Sequence, residues 1–253
     1  MSTSEHVMST KPALSRAISD RFRDFGAIQE ALRSMNLESS NLMFAIDYTT
    51  ANLTCAEHSF DGKCLHSIDP SGEILNPYQE ALTRLGRVLV EFDDDRSIQV
   101  SGFGDAKTPE NAVFSFTPEN PMAGCKSFNE IWQRYHDLTP TIELGEKSAN
   151  LGPVIRHATA VAREVTGFHM LIILLSSHLA NEHLVEAAQA IVDASKFPLC
   201  RWTNLMVLMM PRMLNLLLLV TSDYRDRDGR RSLGTFCVLS SKSSQDLTKL
   251  LDI

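Results

Sequence analysis

The sequence has few of the patterns that carry catalysis or tight metal binding. Its cysteines are odd in number and widely spaced, and no two of them form a C-x-x-C pair: Cys55, Cys64, Cys125, Cys200 and Cys237. This spacing encodes neither a disulfide framework nor a zinc ribbon or RING, so we expect a reducing compartment, the cytoplasm or the nucleus. A Gly-x-Ser-x-Gly elbow and a Gly-x-x-x-x-Gly-Lys phosphate loop are also absent. These absences predict that the chain is not an enzyme.

Positive charge is also scarce. Acidic residues outnumber lysine and arginine by 31 to 24, which gives a net charge of −7. The one basic cluster, Arg225 to Arg231, is interleaved with aspartates, so we expect no nucleic-acid partner. The N-terminus has no apolar signal core, and Ser2 stands where myristoylation needs glycine, which predicts no export and no lipid anchor.

One apolar run, Leu205 to Val220, resembles a membrane span. It is shorter than the ~20 apolar residues that a bilayer requires. It also contains Pro211, Arg212 and Asn215. We therefore predict a buried or misread segment here and no integral membrane association.

Apolar runs of strand type alternate with amphipathic stretches of helix type. Residues 1–20 are polar and are predicted to be a disordered lead-in. Helices are predicted at 27–35, from 76–77 onward, at 128–135, from 152–153 to a cap at Gly167, and at 181–195, and strands at 42–46, 97–103, 113–116 and 170–175. Alternating strands and helices predict an α/β fold with a doubly wound, mostly parallel sheet and helices on both faces, as in Rossmann-type proteins.

Oxygen-bearing side chains follow two of the predicted strands. Asp47 and Thr49 come directly after the first strand, and Asp105 follows the Gly102-Phe103-Gly104 turn after the second. In open α/β sheets the ligand site lies at the carboxyl ends of the strands, so we expect the three to lie there. A carboxylate and a hydroxyl suit a hard cation such as Mg²⁺, although Asp-x-Thr alone is not specific.

Several motifs occur in the order found in one family. They are Glu38-Ser39-Ser40-Asn41-Leu42, Ile46-Asp47-Tyr48-Thr49, Asn76-Pro77-Tyr78-Gln79, Gly102-Phe103-Gly104-Asp105, Phe114-Ser115-Phe116 and Pro153-Val154-Ile155. Together they resemble the copine-type von Willebrand A domain, from about Ile18 to Leu199. The likeness extends to the plant RING-domain ligases and to stand-alone copine-domain proteins, and it sets the domain at residues 21–199.

The resemblance implies a metal-ion-dependent adhesion site, and the sequence departs from it at three positions. The family pattern has a second hydroxyl where Ala51 stands, a threonine at Ala149 and an aspartate at Ser176. With Asp47 and Thr49 as the remaining ligands, any Mg²⁺ would keep most of its waters and bind weakly. Two interpretations stay open: a vestigial metal site, or residues that only cap the loop through backbone hydrogen bonds.

Two further sets of residues are weighed against ordinary structural roles. His178 and His183 are five residues apart, which does not place them on one helical face, and no third ligand has zinc spacing. Cys55 and Cys64 lie near His58 and His66, which could suggest a thiol nucleophile paired with imidazole. Catalytic Cys and His rarely lie so close in sequence, so we interpret this proximity as chance.

The resemblance and the missing catalytic motifs predict a non-enzymatic protein-interaction module. The predicted partner-binding loop contains Asp47, Tyr48, Thr49, Asp105 and Asn150, and no cofactor is expected beyond weakly bound Mg²⁺. An alternative is a substrate adaptor in a ubiquitin-ligase system, since the plant relatives carry a RING. Membrane recruitment is disfavoured, because the acidic chain would be repelled by anionic lipid.

The likeness stops abruptly after Pro198-Leu199. The family continues with a Val/Ile/Gly strand and an Asp-Gly-Pro motif, whereas this chain continues with Leu205-Met206-Val207-Leu208-Met209-Met210. One choice of codons for those six residues, read two nucleotides later, encodes Asp-Gly-Pro-Tyr-Asp. We therefore predict that residues 200–253 are a divergent tail, frameshifted or mis-spliced, that leaves the native sheet incomplete with an exposed strand edge.

Overall fold

A computed structural model gives the fold of a large part of the chain. It describes residues 26, 29–30, 33, 40–55, 60–93, 96–108, 111–121, 123–145, 148–165, 168–176, 180–195, 201–209, 218–225 and 231–239. The predicted lead-in over 1–20 and the predicted cap at Gly167 lie outside these residues. Of the helix predicted over 27–35, the described positions Gln29, Glu30 and Arg33 are helical.

Strands and helices alternate through most of the described chain. The strands are β1 (Asn41–Asp47), β2 (Gln99–Phe103), β3 (Phe114–Ser115), β4 (Phe168–Leu175), β5 (Arg201–Met209), β6 (Leu218–Arg225) and β7 (Arg231–Leu239). The α-helices are α1 (Ala51–Thr54), α2 (Pro77–Leu89), α3 (Phe128–Leu138), α4 (Leu151–Glu164) and α5 (Asn181–Ser195), and short 3₁₀ turns follow α2 and α3 at Val90–Phe92 and Thr139–Thr141. The strands and helices predicted between residues 42 and 195 are present with small shifts of their ends.

The strands form one mixed sheet in the order β3-β2-β1-β4-β5-β7-β6. The pairs β1–β2, β1–β4, β4–β5 and β5–β7 are parallel, while β2–β3 and β6–β7 are antiparallel. The chain moves outward from β1 in one direction through β2 and in the other through β4. This order confirms the predicted doubly wound, mostly parallel α/β sheet and places the strand-order reversal at β1.

The central strand β1 is buried on both faces, which explains its unbroken apolar sequence. Its alternate side chains Leu42, Phe44 and Ile46 pack in one core cluster, and Met43 and Ala45 pack in the other. The first cluster also contains the inner residues of α2 and α3, and the second contains those of α4 and α5. Helices therefore cover both faces of the sheet, and the carboxyl end of β1 lies between the two layers.

Helix α2 begins at the capping signal seen in the sequence. The Asn76 side chain accepts a hydrogen bond from the Gln79 N–H at 2.9 Å, and the Gln79 side chain accepts one from the Asn76 N–H at 3.0 Å. Pro77 follows as the first helical residue, where its missing N–H costs nothing. This reciprocal cap fixes the start of α2 beside the strand end that carries Asp47.

Three strands of the predicted divergent tail, residues 200–253, pair with the rest of the sheet. Strand β5 pairs in parallel with β4 from Phe168↔Arg201 to Leu175↔Met209, and β7 pairs in parallel with β5. The apolar run that resembled a membrane span contributes instead to β5 and, at its end, to β6. Apolar segments fit a strand beside a buried parallel neighbour. The altered reading frame concerns the transcript and stays a prediction, which sequencing through the codons for Leu199 to Met210 would test.

No helix among the described residues is both long and apolar enough to cross a bilayer.

Candidate functional site

The carboxylate of Asp47 joins the ends of the two central strands. The Thr49 N–H donates to Asp47 Oδ1 at 2.8 Å. The Ser176 N–H and hydroxyl both donate to Asp47 Oδ2, at 2.9 and 2.6 Å. Asp47 is completely buried, and Ser176 is 1% exposed. Because Ser176 follows β4, its two hydrogen bonds tie that strand end to the end of β1.

The positions that depart from the family pattern serve other purposes in this fold. Ser176 stands where an aspartate is expected and, as a hydroxyl donor, satisfies Asp47 instead of adding a second negative charge. Ala149 is completely buried in the apolar cluster of α4, and Ala51 is 6% exposed at the start of α1. No group of three or more His, Cys, Asp or Glu side chains among the described residues is arranged to hold a metal ion. The set therefore offers one carboxylate with two hydroxyls, Thr49 Oγ1 and Ser176 Oγ, 3.5 Å apart.

The backbone carbonyl of Asp47 is the focus of a second group of hydrogen bonds. It accepts from Asn52 Nδ2 at 2.9 Å and from His66 Nε2 at 2.7 Å, and the Tyr78 hydroxyl lies 3.3 Å away. The Tyr78 hydroxyl makes its shorter bond, 2.7 Å, to Asn52 Oδ1. Asn52 Nδ2 also donates to the Thr49 carbonyl at 3.0 Å. These donors hold the backbone from Asp47 to Asn52 in one tight turn.

His66 is a neutral, buried part of this group. Its ring is stacked between Tyr48 and Tyr78, with centroid distances of 4.3 and 4.1 Å. Burial lowers the pKa of His66 from 6.5 to about 3, so the ring is uncharged at neutral pH. Since Nε2 faces a carbonyl and must donate, Nδ1 accepts the hydrogen bond from the Tyr135 hydroxyl at 2.8 Å.

The same geometry bears on the thiol–imidazole pairing weighed from the sequence. Both His66 ring nitrogens bond to groups other than a cysteine sulfur. Burial raises the pKa of both Cys55 and Cys64, which is the opposite of what an activated thiol needs. His58 lies outside the described residues. His66 therefore supports the strand end and does not activate a nucleophile.

Asp105 lies in the turn after β2, the neighbour of β1. Its Oδ2 accepts hydrogen bonds from the N–H groups of Lys107 and Thr108, at 3.2 and 3.1 Å, as expected of an aspartate that stabilises a turn. Its Oδ1 is buried and has no hydrogen-bond partner among the residues that the structure describes. Gly104 has a φ of +77°, and a Cβ there would lie 2.6 Å from the Thr49 methyl group, so the two loops touch at a position that requires glycine.

The loop before α4 completes this edge of the sheet. The Gly145 N–H lies 3.1 Å from the Gly104 carbonyl and 3.3 Å from the Tyr48 carbonyl. Asn150 caps α4, with Oδ1 accepting from the Gly152 N–H at 3.0 Å, and its Nδ2 donates to Glu186 of α5 at 2.7 Å. Asn150 therefore has a structural role in joining two helices.

The structure brings together most of the residues singled out in the sequence. Asp47, Tyr48, Thr49, Ser176 and Asp105 share the carboxyl edge of adjacent strands. His183 is half-buried beside Glu182 in α5, whereas His178 lies outside the described residues.

Sequence reasoning missed the supporting roles of Asn52, His66, Tyr78 and Tyr135. The motif Asn76-Pro77-Tyr78-Gln79 includes Tyr78, but from the sequence it indicated only the start of a helix. The stack of Tyr48, His66 and Tyr78 joins residues that are more than ten positions apart, and no local sequence pattern predicts it.

Comparison with known proteins gives one consistent result. The profile of the Copine family matches residues 64–201. Copine family protein 1 of Caenorhabditis elegans is 37% identical over 173 residues, which cover 68% of this chain and 15% of that protein. E3 ubiquitin-protein ligase RGLG4 of Arabidopsis thaliana is 35% identical over 184 residues, which cover 70% of this chain and 44% of that protein. E3 ubiquitin-protein ligase RGLG2 of the same plant is 36% identical over 193 residues, which cover 72% of this chain and 40% of that protein. The chain thus spans less than half the length of these relatives.

The role of His66 predicts a measurable pH dependence of stability. The unfolded histidine binds a proton below its pKa of about 6.5, whereas the folded one does so only near 3. Between these values the unfolded state holds more protons, so the free energy of unfolding falls as pH is lowered, by up to about 1.4 kcal/mol per pH unit from this residue. Urea unfolding of the wild type and of His66→Phe between pH 7 and pH 4 should give a shallower slope for the variant.

A matched control separates this effect from the titration of carboxylates. His136→Phe removes a partly exposed histidine on α3 that bonds to Asp137, and it should change the slope less than His66→Phe does. Equal slopes for His66→Phe and the wild type would contradict the buried, neutral state of His66. At pH 7 we also expect His66→Phe to cost about 1–3 kcal/mol, because the ring volume is kept but buried hydrogen bonds are lost.

Proposed function

This chain belongs to the copine family, and from that we propose that it is a non-enzymatic protein-interaction module with a degenerate metal-ion-dependent adhesion site. The observation that carries the proposal is the carboxylate of Asp47, both of whose oxygens accept hydrogen bonds from the protein itself. In this arrangement the former ligand residues set the shape of the loops. A partner protein then binds the loops at the carboxyl edge of β1, β2 and β4.

The degenerate site follows from the donors that the fold supplies. Mg²⁺ is bound through carboxylates and other hard oxygens in octahedral geometry, and each lost ligand must be replaced by water. Here Ser176 provides a hydroxyl that already donates to Asp47 Oδ2 at 2.6 Å, and Ala149 is packed among apolar side chains. An ion at Asp47 Oδ2 or Ser176 Oγ would compete with this hydrogen bond. We therefore propose that Mg²⁺ binds weakly or not at all and is not needed for partner binding.

The burial of the site residues refines which groups meet the partner. Asp47, Tyr48 and Thr49 are completely buried, so their side chains hold the loop and do not touch a ligand. Exposed neighbours on the same loops supply the contact surface: Leu53 on α1 is 49% exposed, and Ala106 and Lys107 in the turn after β2 are exposed. Leu53 is one of several exposed apolar side chains, and it is singled out because it lies on the helix that directly follows the Asp47–Thr49 loop.

A second candidate is a substrate adaptor in a ubiquitin-ligase system. Its support is the similarity to the two Arabidopsis proteins named E3 ubiquitin-protein ligases. The sequence contains no C-x-x-C pair of the RING type, so in this alternative the chain would bind the substrate and leave ubiquitin transfer to another component. A ubiquitin-transfer assay with the purified chain, E1 and E2 separates the two: transfer by the chain alone would defeat the non-enzyme proposal.

We predict that the chain does not bind a divalent metal ion tightly. Calorimetric titration of the chain with Mg²⁺ or Mn²⁺ should show no micromolar binding, because Asp47 is already bonded to protein donors. The triple variant Ala51→Ser/Ala149→Thr/Ser176→Asp restores the ligand types of the family and should bind Mn²⁺ more tightly than the wild type. Micromolar binding by the wild type that Asp47→Ala abolishes would overturn the degenerate-site proposal.

We also predict that the surface around Leu53 binds the partner protein. Leu53→Arg should abolish capture of partner proteins from lysate of the source cells, since it replaces an exposed apolar contact with a charge. Val192→Arg on α5 is the matched control, because Val192 is also 49% exposed but lies near the end of a helix that runs away from this edge. Both variants should melt like the wild type. Capture that survives Leu53→Arg, or that Val192→Arg removes, would place the interface elsewhere.

A further inference from the structure

The two outermost strands of the sheet differ greatly in length. β3 ends the sheet on one side and has only two residues, Phe114–Ser115. β6 ends it on the other side and has eight, Leu218–Arg225. Among the described strands β6 pairs with β7 alone, so the outer row of backbone N–H and C=O groups along β6 faces no other strand of that part of the chain.

β6 is regular along its whole length. Each of its residues has a register partner on β7, from Leu218↔Val238 to Arg225↔Arg231, without a shift. Its sequence contains no proline, glycine or lysine. Natural proteins block pairing at an edge strand by shortening it or by adding proline, lysine or a β-bulge. β3 is blocked by its shortness, whereas β6 has the length and regularity of a template for one more strand.

The sequence of β6 fits a second copy of itself. A closed dimer has a two-fold axis, which requires the two β6 strands to run antiparallel. Directly opposed residues share one face of a sheet, and residues on one strand alternate between the faces. The axis must therefore pass between two copies of the same residue. An axis at Ser222 pairs the greatest length of β6, residues 219–225 of each strand.

This register opposes compatible residue types. Val220 lies opposite Tyr224 of the second copy, a pair of a β-branched and an aromatic residue of the kind that stabilises sheets. Asp223 lies opposite Thr221 of the second copy, and Arg225 lies opposite a leucine. Neither charged residue of β6 is thus directly opposed by a like charge, which would be destabilising.

We propose that two copies of this chain associate by antiparallel pairing of their β6 strands about a two-fold axis at Ser222, which joins their sheets into one. The opposed residues exchange about one backbone hydrogen bond each. Because this axis is perpendicular to the sheet, all strands of the second copy run in the opposite direction. The two carboxyl edges therefore point in opposite directions, and each copy keeps its own loops beside Asp47 for a partner protein.

Cysteine cross-linking tests the register of this pairing. Ser222 opposes itself across the axis, and the Cα atoms of directly opposed residues are about 4.5–5.5 Å apart, within the reach of a disulfide. Ser222→Cys should therefore form a disulfide between two chains when oxidised glutathione is added. The two thiols lose two electrons and two protons, and one glutathione disulfide is reduced to two glutathione thiols. Mass mapping of the linked peptides separates this bond from any formed by the natural cysteines.

Matched controls lie on the same strand. Residues 221 and 223 oppose each other and not themselves, so Thr221→Cys alone and Asp223→Cys alone should cross-link much more slowly than Ser222→Cys. A mixture of these two variants should cross-link readily, with the disulfide between position 221 of one chain and position 223 of the other.

Light scattering measures the association without a cross-link. The wild type should show twice the 28.2 kDa mass of one chain and should dissociate on dilution. Ser222→Lys places two like charges opposite each other at the axis and should raise the dissociation constant of the dimer by about fivefold. Within one copy position 222 is paired with Gly234 of β7, which has no side chain to clash with the lysine. Ser222→Thr adds no charge and should leave the dissociation constant close to that of the wild type, and thermal melting checks that both variants fold.

Several outcomes would overturn the inference. One is a chain that stays monomeric up to its limit of solubility. Another is equal cross-linking of Ser222→Cys, Thr221→Cys and Asp223→Cys, which would indicate aggregation without a fixed register. Leu53→Arg leaves β6 unchanged and should keep the dimer, so a dimer lost in that variant would place the contact at the loops beside Asp47 and would also overturn the inference.

Discussion

The hydrogen bonds between Asp47 and Ser176 are the constraint on which the edge of this domain depends. They join the ends of β1 and β4, the two strands at which the order of the sheet divides, through a carboxylate that is fully buried. In a site built around a cation, charge compensation would hold these strand ends together. Here the Ser176 hydroxyl and the Ser176 N–H do so. A hydroxyl at position 176 therefore meets the hydrogen-bonding needs of Asp47.

A second group of residues fixes the same strand end through the backbone carbonyl of Asp47. The carbonyl of Asp47 accepts from Asn52 and His66, and His66 in turn accepts from Tyr135 on α3 and is stacked between two tyrosines. Asp47 thus connects through its backbone carbonyl to the residues packed against α2 and α3, and through its side chain to the end of β4. The ring stays neutral because burial disfavours its charged form and lowers the pKa of His66.

Much of the fold could be predicted from local pattern. The apolar run of β1, the Asn76-Pro77 start of α2 and the 15-residue helix α5 each carry a signal within a few neighbouring residues. The location of Asp47, Thr49 and Asp105 at one edge followed from the rule for open α/β sheets. The pairing of the tail with the sheet was not predicted, because loss of family likeness says nothing about strand pairing; residues 204–209 nevertheless pair in parallel with β4. The roles of His66 and Ser176 could not be predicted, since their partners lie 69 and 129 residues away in the chain.

The proposed degenerate site requires that protein donors, and no metal ion, bind the carboxylate of Asp47. Crystals of the chain grown with Mn²⁺, measured at the manganese absorption edge, test this most directly, because anomalous scattering locates the ion without reference to activity. The account predicts no anomalous peak within bonding distance of Asp47 or Thr49, and a Ser176 hydroxyl still hydrogen-bonded to the carboxylate. A peak coordinated by Asp47 Oδ and Thr49 Oγ1, with Ser176 turned away, would contradict it.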